Sequence, residues 1–158
     1  MATYQQLCEI GESFAEFVGR GLPSEIAAVH EVQRKLAGEG AISADTLERL
    51  KRVSRRYHLL VAGEMWCPDC QLNMSAFAFM QRIQPLIELA IITKGRAEDD
   101  LKQRLGLDTI RVPVVAVLDA EFQLLGCFVE RPQQVITGGK DVMPDYRAGR
   151  FLESSIGD

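Results

Sequence analysis

The chain has 158 residues, of which 47% are hydrophobic and 25% are charged, a composition ordinary for a globular protein with one domain. The formal net charge of −4 argues against nucleic-acid binding, because nucleic-acid-binding proteins usually carry a basic excess. No apolar run approaches the roughly 20 residues of a membrane span, and the N-terminus lacks the basic flank of a signal peptide. The four cysteines include only one pair close in sequence, which is typical of a reducing compartment, so we expect a cytoplasmic protein.

Residues 1–57 are predicted to form an N-terminal helical extension of three amphipathic helices. The first should end at Gly19, the second should cover residues 23–37, and the third should start near Ser43 and reach Tyr57. The apolar stripe of the first helix contains Leu7, Ile10, Phe14, Phe17 and Val18. Because each helix has an apolar face to cover, we expect an accessory layer beside the core and not an independent domain.

Four cationic residues lie on the predicted solvent side of the third helix. They are Lys51, Arg52, Arg55 and Arg56. A run of charge on a helix is usually a solvated face, and this interpretation is favoured. The alternative is a docking patch for an acidic partner protein.

From residue 58 onward, short apolar runs alternate with helical segments. The predicted strands cover residues 59–63, 89–93, 113–118 and 122–129, and the predicted helices cover 67–84, 96–105 and part of 141–156. The helical crossover makes the first two strands parallel, and the tight turn at 119–121 makes the last two a hairpin. The order predicts an α/β fold with a four-stranded mixed sheet flanked by helices.

The segment 66–70, Trp-Cys-Pro-Asp-Cys, lies between the first predicted strand and the helix that follows it. Two cysteines separated by two residues at such a junction are typical of a redox-active dithiol. Cys67 is expected at the helix start, where unpaired N–H groups and the helix dipole favour its thiolate. We therefore predict that Cys67 attacks a disulfide and that the more shielded Cys70 resolves the mixed disulfide. Trp66 should cover the site with a flat apolar surface.

The chain resembles the thioredoxin superfamily in this strand–motif–helix–strand segment and in Val112-Pro113, which opens the hairpin. The resemblance identifies residues 58–158 as a thioredoxin-like domain and leaves the helical extension outside it. It implies a cis peptide bond before Pro113, facing the dithiol, and main-chain pairing of Val112 with the substrate. The implied activity is thiol–disulfide oxidoreduction on protein or small-molecule disulfides. No bound cofactor is implied, and an external reductase or small-thiol pool would supply electrons.

The chain departs from the thioredoxin pattern near the motif. Val61 occupies the position of the buried aspartate that lies six residues before the nucleophile in thioredoxins, and Ser75 replaces the proline that kinks the motif helix. Glu64 is the nearest acidic residue outside the motif. It is expected to be either a general base in place of that aspartate or a solvated loop residue. Asp69 should raise the pKa of the attacking cysteine, which predicts a reducing and not a strongly oxidising dithiol. Two interpretations of Arg111 are open. It faces the thiolate or an anionic group of the substrate, or it is an exposed loop residue.

Three alternatives compete with a redox dithiol. A structural zinc site needs four ligands, but no second cysteine pair exists, and His30 and His58 lack ligand spacing. Simple buried packing of the pair is also disfavoured by the tryptophan before it and the Pro-Asp inside it. The competing function is a binding or chaperone-like module that holds clients in the groove beside the motif. Cys8 and Cys127 are expected to be structural.

Overall fold

The computed structural model describes residues 2–147, 149 and 152–157. The helices are α1 (Tyr4–Ile10), α2 (Phe14–Gly19), α3 (Pro23–Ala37), α4 (Ala44–Lys51), α5 (Pro68–Ile83), α6 (Lys94–Asp100), α7 (Gln133–Gly138), α8 (Met143–Arg147) and α9 (Leu152–Gly157), with a 3-10 helix at Gly139–Val142. The strands are β1 (Tyr57–Ala62), β2 (Ile87–Ile92), β3 (Val114–Leu118) and β4 (Leu124–Val129).

The strands form one mixed sheet in the order β2-β1-β3-β4. Strands β1 and β2 are parallel, with Leu59 opposite Leu89, whereas β3 is antiparallel to both β1 and β4. The predicted α/β fold, a four-stranded mixed sheet flanked by helices, is confirmed. Strand β4 begins two residues later than predicted, because Phe122 adopts a left-handed φ of 63° and the Asp119 side chain binds the N–H of Gln123 in the hairpin loop.

The prediction of a single first helix is wrong, because the chain breaks into α1 and α2. Between them, Glu12 exchanges two backbone hydrogen bonds with Ile91 on β2, at 2.8 and 2.9 Å. Gly11 permits this approach, since a Cβ there would lie 2.8 Å from the Ala90 Cβ. Ser13 then caps α2 by accepting a hydrogen bond from the Glu16 N–H. The break lets the extension bind directly to the sheet.

The predicted start of the third helix at Ser43 is confirmed, but its predicted end is wrong. Ser43 caps α4, which ends at Lys51, and Tyr57 begins β1 instead of continuing the helix. Arg55 and Arg56 therefore lie in the connection that follows α4, and Arg56 pairs with Glu88 on β2 at 2.7 Å. The docking role of the cationic residues remains a prediction.

The polar helix α6 begins and ends earlier than the predicted range of 96–105. Thr93 caps it by accepting a hydrogen bond from the Arg96 N–H at 3.1 Å. The helix ends at Asp100 because the N–H groups of Leu101 and Lys102 both bind the Ala97 carbonyl, which tightens the chain into turns.

The C-terminal segment contains several short helices in place of the single one predicted within residues 141–156. Helix α7 was missed, and α8 and α9 lie within the predicted range, which also includes residues 148, 150 and 151, outside the described residues. The left-handed φ of 67° at Glu130 and the extended backbone of Pro132 turn the chain from β4 into α7.

Helix α5 is the central helix of the molecule and contacts β2, α3 and α9. Buried side chains of the extension, among them Leu7, Phe17 and Val29, join those of the sheet in one hydrophobic cluster. This packing agrees with an accessory layer, while the domain boundary at residues 57 and 58 remains a prediction. In the described part of the chain, no helix is both long and apolar enough to cross a membrane.

Candidate active site

The cysteine pair lies where β1 leads into α5. Cys67 is the N-cap of this 16-residue helix, and its sulfur accepts a hydrogen bond from the Cys70 N–H at 3.4 Å. Pro68 occupies the first helical turn, where its missing N–H costs no hydrogen bond. The sulfur of Cys67 therefore lies at the positive end of the helix dipole, next to backbone donors.

The two cysteines differ in exposure and in acidity. Cys67 is 6% exposed and Cys70 is 0% exposed. The pKa of Cys67 is lowered to about 7, chiefly because the Cys70 thiol donates a hydrogen bond to its sulfur, while burial and the Asp69 carboxylate oppose the change. Burial strongly raises the pKa of Cys70. One sulfur is thus poised to ionise near neutral pH while the other keeps its proton.

The predicted cis peptide bond between Val112 and Pro113 is confirmed. Both residues are buried, and the sulfur of Cys67 lies 3.5 Å from the Val112 carbonyl oxygen, so a protonated Cys67 can donate to it. On the far side, the Pro113 carbonyl accepts a hydrogen bond from the Glu130 N–H at 2.7 Å. The fold brings Val112 and Pro113 against the dithiol from a position 45 residues further along the chain.

Trp66 and Glu64 lie in the connection between β1 and α5, just before the dithiol. Trp66 is 58% exposed, and the Lys94 ammonium lies 6.0 Å from the centre of its ring. The Glu64 backbone N–H donates to the Cys70 sulfur at 3.5 Å, whereas its carboxylate accepts a hydrogen bond from the Lys94 N–H at 3.0 Å. The Glu64 carboxylate therefore binds the start of α6. Trp66 leaves a flat apolar surface open beside the sulfur.

The other positions discussed from the sequence take structural or solvent-exposed places. Arg111 is exposed, and it makes no hydrogen bond or ion pair within residues 2–147, 149 and 152–157. Val61 is fully buried in β1. The Ser75 hydroxyl donates to the Gln71 carbonyl at 2.6 Å, one turn back in α5. In the residues that the structure describes, neither Arg111 nor Ser75 makes a hydrogen bond to a dithiol sulfur.

Sequence reasoning missed the residues that bind the Asp69 side chain. They are Arg131 and Tyr146, which lie 62 and 77 positions away in the sequence. Asn73 also belongs to this group, because its amide donates to the Tyr146 hydroxyl at 2.8 Å. The one signal in the sequence is Asn73, a polar residue on the largely apolar stretch of α5 between Leu72 and Met80. Nothing in the local sequence around Arg131 or Tyr146 indicates this contact.

The two remaining cysteines differ from each other. Cys127 was expected to be structural, but it is exposed, because β4 is the edge strand of the sheet and its first four residues face solvent. Cys8 is partly buried, and burial raises its pKa to about 11, so it stays a thiol at neutral pH. Among the described residues, no group of three or more His, Cys, Asp or Glu side chains could hold a metal ion.

A mixed four-stranded sheet with a Cys-X-X-Cys pair at a helix start, facing a cis-proline, defines a thioredoxin-like protein. A family model described as thioredoxin matches residues 11–143, and the chain belongs to this family. The match begins inside the helical extension, which lies outside the resemblance seen in the sequence.

Two solved structures closely resemble the chain. The crystal structure of PA1234, a protein of unknown function from Pseudomonas aeruginosa, is 59% identical with a TM-score of 0.98, covering 100% of this chain and 95% of that one. An HIV epitope-scaffold is 58% identical with a TM-score of 0.97, covering 99% of this chain and 94% of that one. A comparison with curated proteins gave no match.

Proposed function

We propose that the chain is a thiol–disulfide oxidoreductase that reduces disulfides in proteins or small molecules in the cytoplasm. One observation carries this proposal: the Cys67 sulfur caps α5 and accepts a hydrogen bond from the Cys70 N–H at 3.4 Å, and its lowered pKa of about 7 contrasts with Cys70, which keeps its proton. A nucleophile whose pKa is near the ambient pH combines a substantial thiolate fraction with high intrinsic reactivity. The cysteine usage of the sequence, four residues with a single close pair, agrees with a reducing compartment.

The reaction follows from the two sulfur environments. The Cys67 thiolate attacks one sulfur of a substrate disulfide, forms a mixed disulfide and releases the other substrate sulfur as a thiolate. Cys70 then passes its proton to the thiolate released in the first step, and its sulfur attacks the Cys67 sulfur, which releases the second substrate thiolate. Two electrons pass to the substrate, and the protein is left with a Cys67–Cys70 disulfide. An external reductant, either a reductase or two equivalents from the small-thiol pool, returns two electrons to restore the pair.

Substrate binding is assigned to the surface around Cys67. Trp66 offers an exposed apolar ring, and Val112 and Pro113 form the wall opposite the motif. In this proposal an extended substrate segment lies between Trp66 and Pro113, with its disulfide above Cys67. The substrate sulfur that is attacked must reach the small part of Cys67 that is exposed. The Cys70 sulfur is inaccessible and reacts only with Cys67.

Insulin reduction by dithiothreitol tests the proposal. Wild-type protein should accelerate the precipitation of reduced insulin chains, and Cys67→Ser should abolish the acceleration. Cys127→Ser is the matched control and should leave the rate unchanged, because this exposed cysteine lies on the edge strand. Cys70→Ser should stop after the first step and accumulate a mixed disulfide at Cys67. Equal rates for wild type and Cys67→Ser would reject the activity.

The second candidate is a binding or chaperone-like module, and the exposed apolar surface favours it. Trp66 is 58% exposed beside the dithiol, and a separate cavity of about 560 Å³ lies between α5 and the β3–β4 hairpin, lined by residues that include Phe77, Phe128 and Ile136. Client binding that persists in Cys67→Ser, together with no effect on insulin reduction, would select this candidate.

A further inference from the structure

The side chain of Asp69, between the two cysteines, is bound by two residues from the segment that follows β4. Its Oδ1 accepts hydrogen bonds from the Tyr146 hydroxyl at 2.5 Å and from Arg131 Nε at 3.2 Å. Its Oδ2 accepts a third from Arg131 Nη2 at 3.4 Å. The Asp69 side chain is 16% exposed and that of Arg131 is 27% exposed, so water screens this pair less than a surface ion pair.

The partners of this carboxylate are fixed by the elements that also build the dithiol site. The N–H of Glu130 binds the Pro113 carbonyl, so the chain that leaves β4 is attached to the wall opposite the motif. The Arg131 guanidinium lies 5.9 Å from the centre of the Tyr146 ring. Asn73 donates to the Tyr146 hydroxyl, which leaves the hydroxyl proton directed at the carboxylate. These contacts hold both donors in place.

A free carboxylate at this position would oppose ionisation of both cysteines. Asp69 raises the pKa of Cys67 and of Cys70 through its negative charge. A cation and a hydroxyl donor bound to the carboxylate weaken the field that reaches the sulfurs. The Glu130 carboxylate also lies near this cluster, 3.8 Å from Arg131 Nη1. Arg131 therefore pairs with two carboxylates, of which Asp69 is the one that raises the pKa values of the cysteines.

We propose that Arg131 and Tyr146 are positioning residues that act through Asp69 to keep Cys67 nucleophilic. They hold the carboxylate in a hydrogen-bonded ion pair, so its charge opposes the Cys67 thiolate less than a free carboxylate would. This inference rests on the proposed function and deepens it. It assigns to the C-terminal segment a part in setting the reactivity of a motif more than 60 residues away.

The test measures alkylation of Cys67 by iodoacetamide between pH 5 and 9, with Cys67 followed by peptide mass spectrometry in the reduced full-length chain. Arg131→Met should lower the Cys67 rate at pH 6 by about threefold to tenfold, and Tyr146→Phe should lower it by about twofold. Asp69→Asn should raise the rate. Arg131→Met added to Asp69→Asn should change the rate by less than about twofold, because no carboxylate remains to be paired.

Controls separate charge pairing from a structural role. Arg131→Lys keeps the charge and should retain most of the wild-type rate, whereas a structural role for the guanidinium would predict a loss as large as in Arg131→Met. The proposal is overturned if Arg131→Met slows Cys67 alkylation equally in the wild-type and Asp69→Asn backgrounds. It is also overturned if folded Arg131→Met is alkylated at the wild-type rate. If Arg131→Met does not fold, an unchanged rate in Tyr146→Phe overturns it. Alkylation needs no turnover, so a chain that follows this pattern but fails to reduce insulin rejects the proposed function alone.

Discussion

Replacement of Asn73 by leucine should destabilise the protein strongly, because this fully buried side chain connects three segments of the chain. Its amide nitrogen contacts the Asp69 carbonyl at 2.8 Å, the Glu130 carbonyl at 3.2 Å and the Tyr146 hydroxyl at 2.8 Å. Its oxygen accepts a hydrogen bond from the Ser155 hydroxyl at 2.5 Å. Leucine is similar in size but offers no polar atom to any of these groups.

The magnitude follows from the groups that lose their partner. Ser155 is 3% exposed, and an unsatisfied buried polar group costs about 1–3 kcal/mol. With the Glu130 carbonyl also losing a donor, and some gain from the apolar side chain, we expect a net loss of about 3 kcal/mol. For a chain of this length that loss lowers the melting temperature by about 6–12 °C.

Urea titration and thermal circular dichroism of Asn73→Leu measure this loss. Ser75→Ala on the same helix is the matched control, since Ser75 is also buried and its hydroxyl donates only to the Gln71 carbonyl within α5. That variant should remain within about 0.5 kcal/mol of wild type. An Asn73→Leu protein as stable as Ser75→Ala would refute the assignment of Asn73 as the connecting residue.

Three further predictions concern the motif and its surroundings. In reductant, the free energy of unfolding of wild type should rise more steeply with pH between 7 and 9 than that of Cys67→Ser, by up to about 1.4 kcal/mol per pH unit. The reason is that folded Cys67 has a pKa of about 7, against its ordinary value of 9.0. Gly63→Ala should cost about 1–3 kcal/mol in the same titration, since a Cβ there would lie 2.3 Å from the Met74 sulfur. Gln84→Met should cost about 1–2 kcal/mol, because the Gln84 amide donates to carbonyl groups at and just after the end of α4.

Each of these predictions has a contrary outcome. Because folding lowers the pKa of Cys67, ionisation of this thiol stabilises the folded protein fully above pH 9, and this stabilisation is lost as the pH falls through 7. Parallel curves of unfolding free energy against pH for wild type and Cys67→Ser would contradict the prediction. Gly19→Ala, where a Cβ meets nothing within 4 Å, is the control for Gly63→Ala and should not destabilise the protein. A Gln84→Met protein with unchanged stability would show that water replaces the amide at α4.

The sequence predicted the elements whose signals are local. The apolar runs around Leu59 and Leu89 and the motif at 66–70 located β1, β2 and the start of α5, because a buried strand and a helix N-terminus depend on neighbouring residues. The cis bond before Pro113 was predicted from the resemblance, since a Val-Pro pair alone does not distinguish cis from trans. The break between α1 and α2 was not predicted, because the helical stripe continues through it and the backbone contact with Ile91 is long-range.

The amino-acid sequence by itself determined that Cys67 caps a helix and that Cys70 lies one turn inward, because this geometry is set within four residues of chain. Only the tertiary structure decided what surrounds the pair. It placed the Val112 carbonyl against the Cys67 sulfur, directed the Glu64 carboxylate to the start of α6, and brought Arg131 and Tyr146 to Asp69. Such contacts join residues tens of positions apart, and their energies depend on burial and distance, which exist only after the chain has folded.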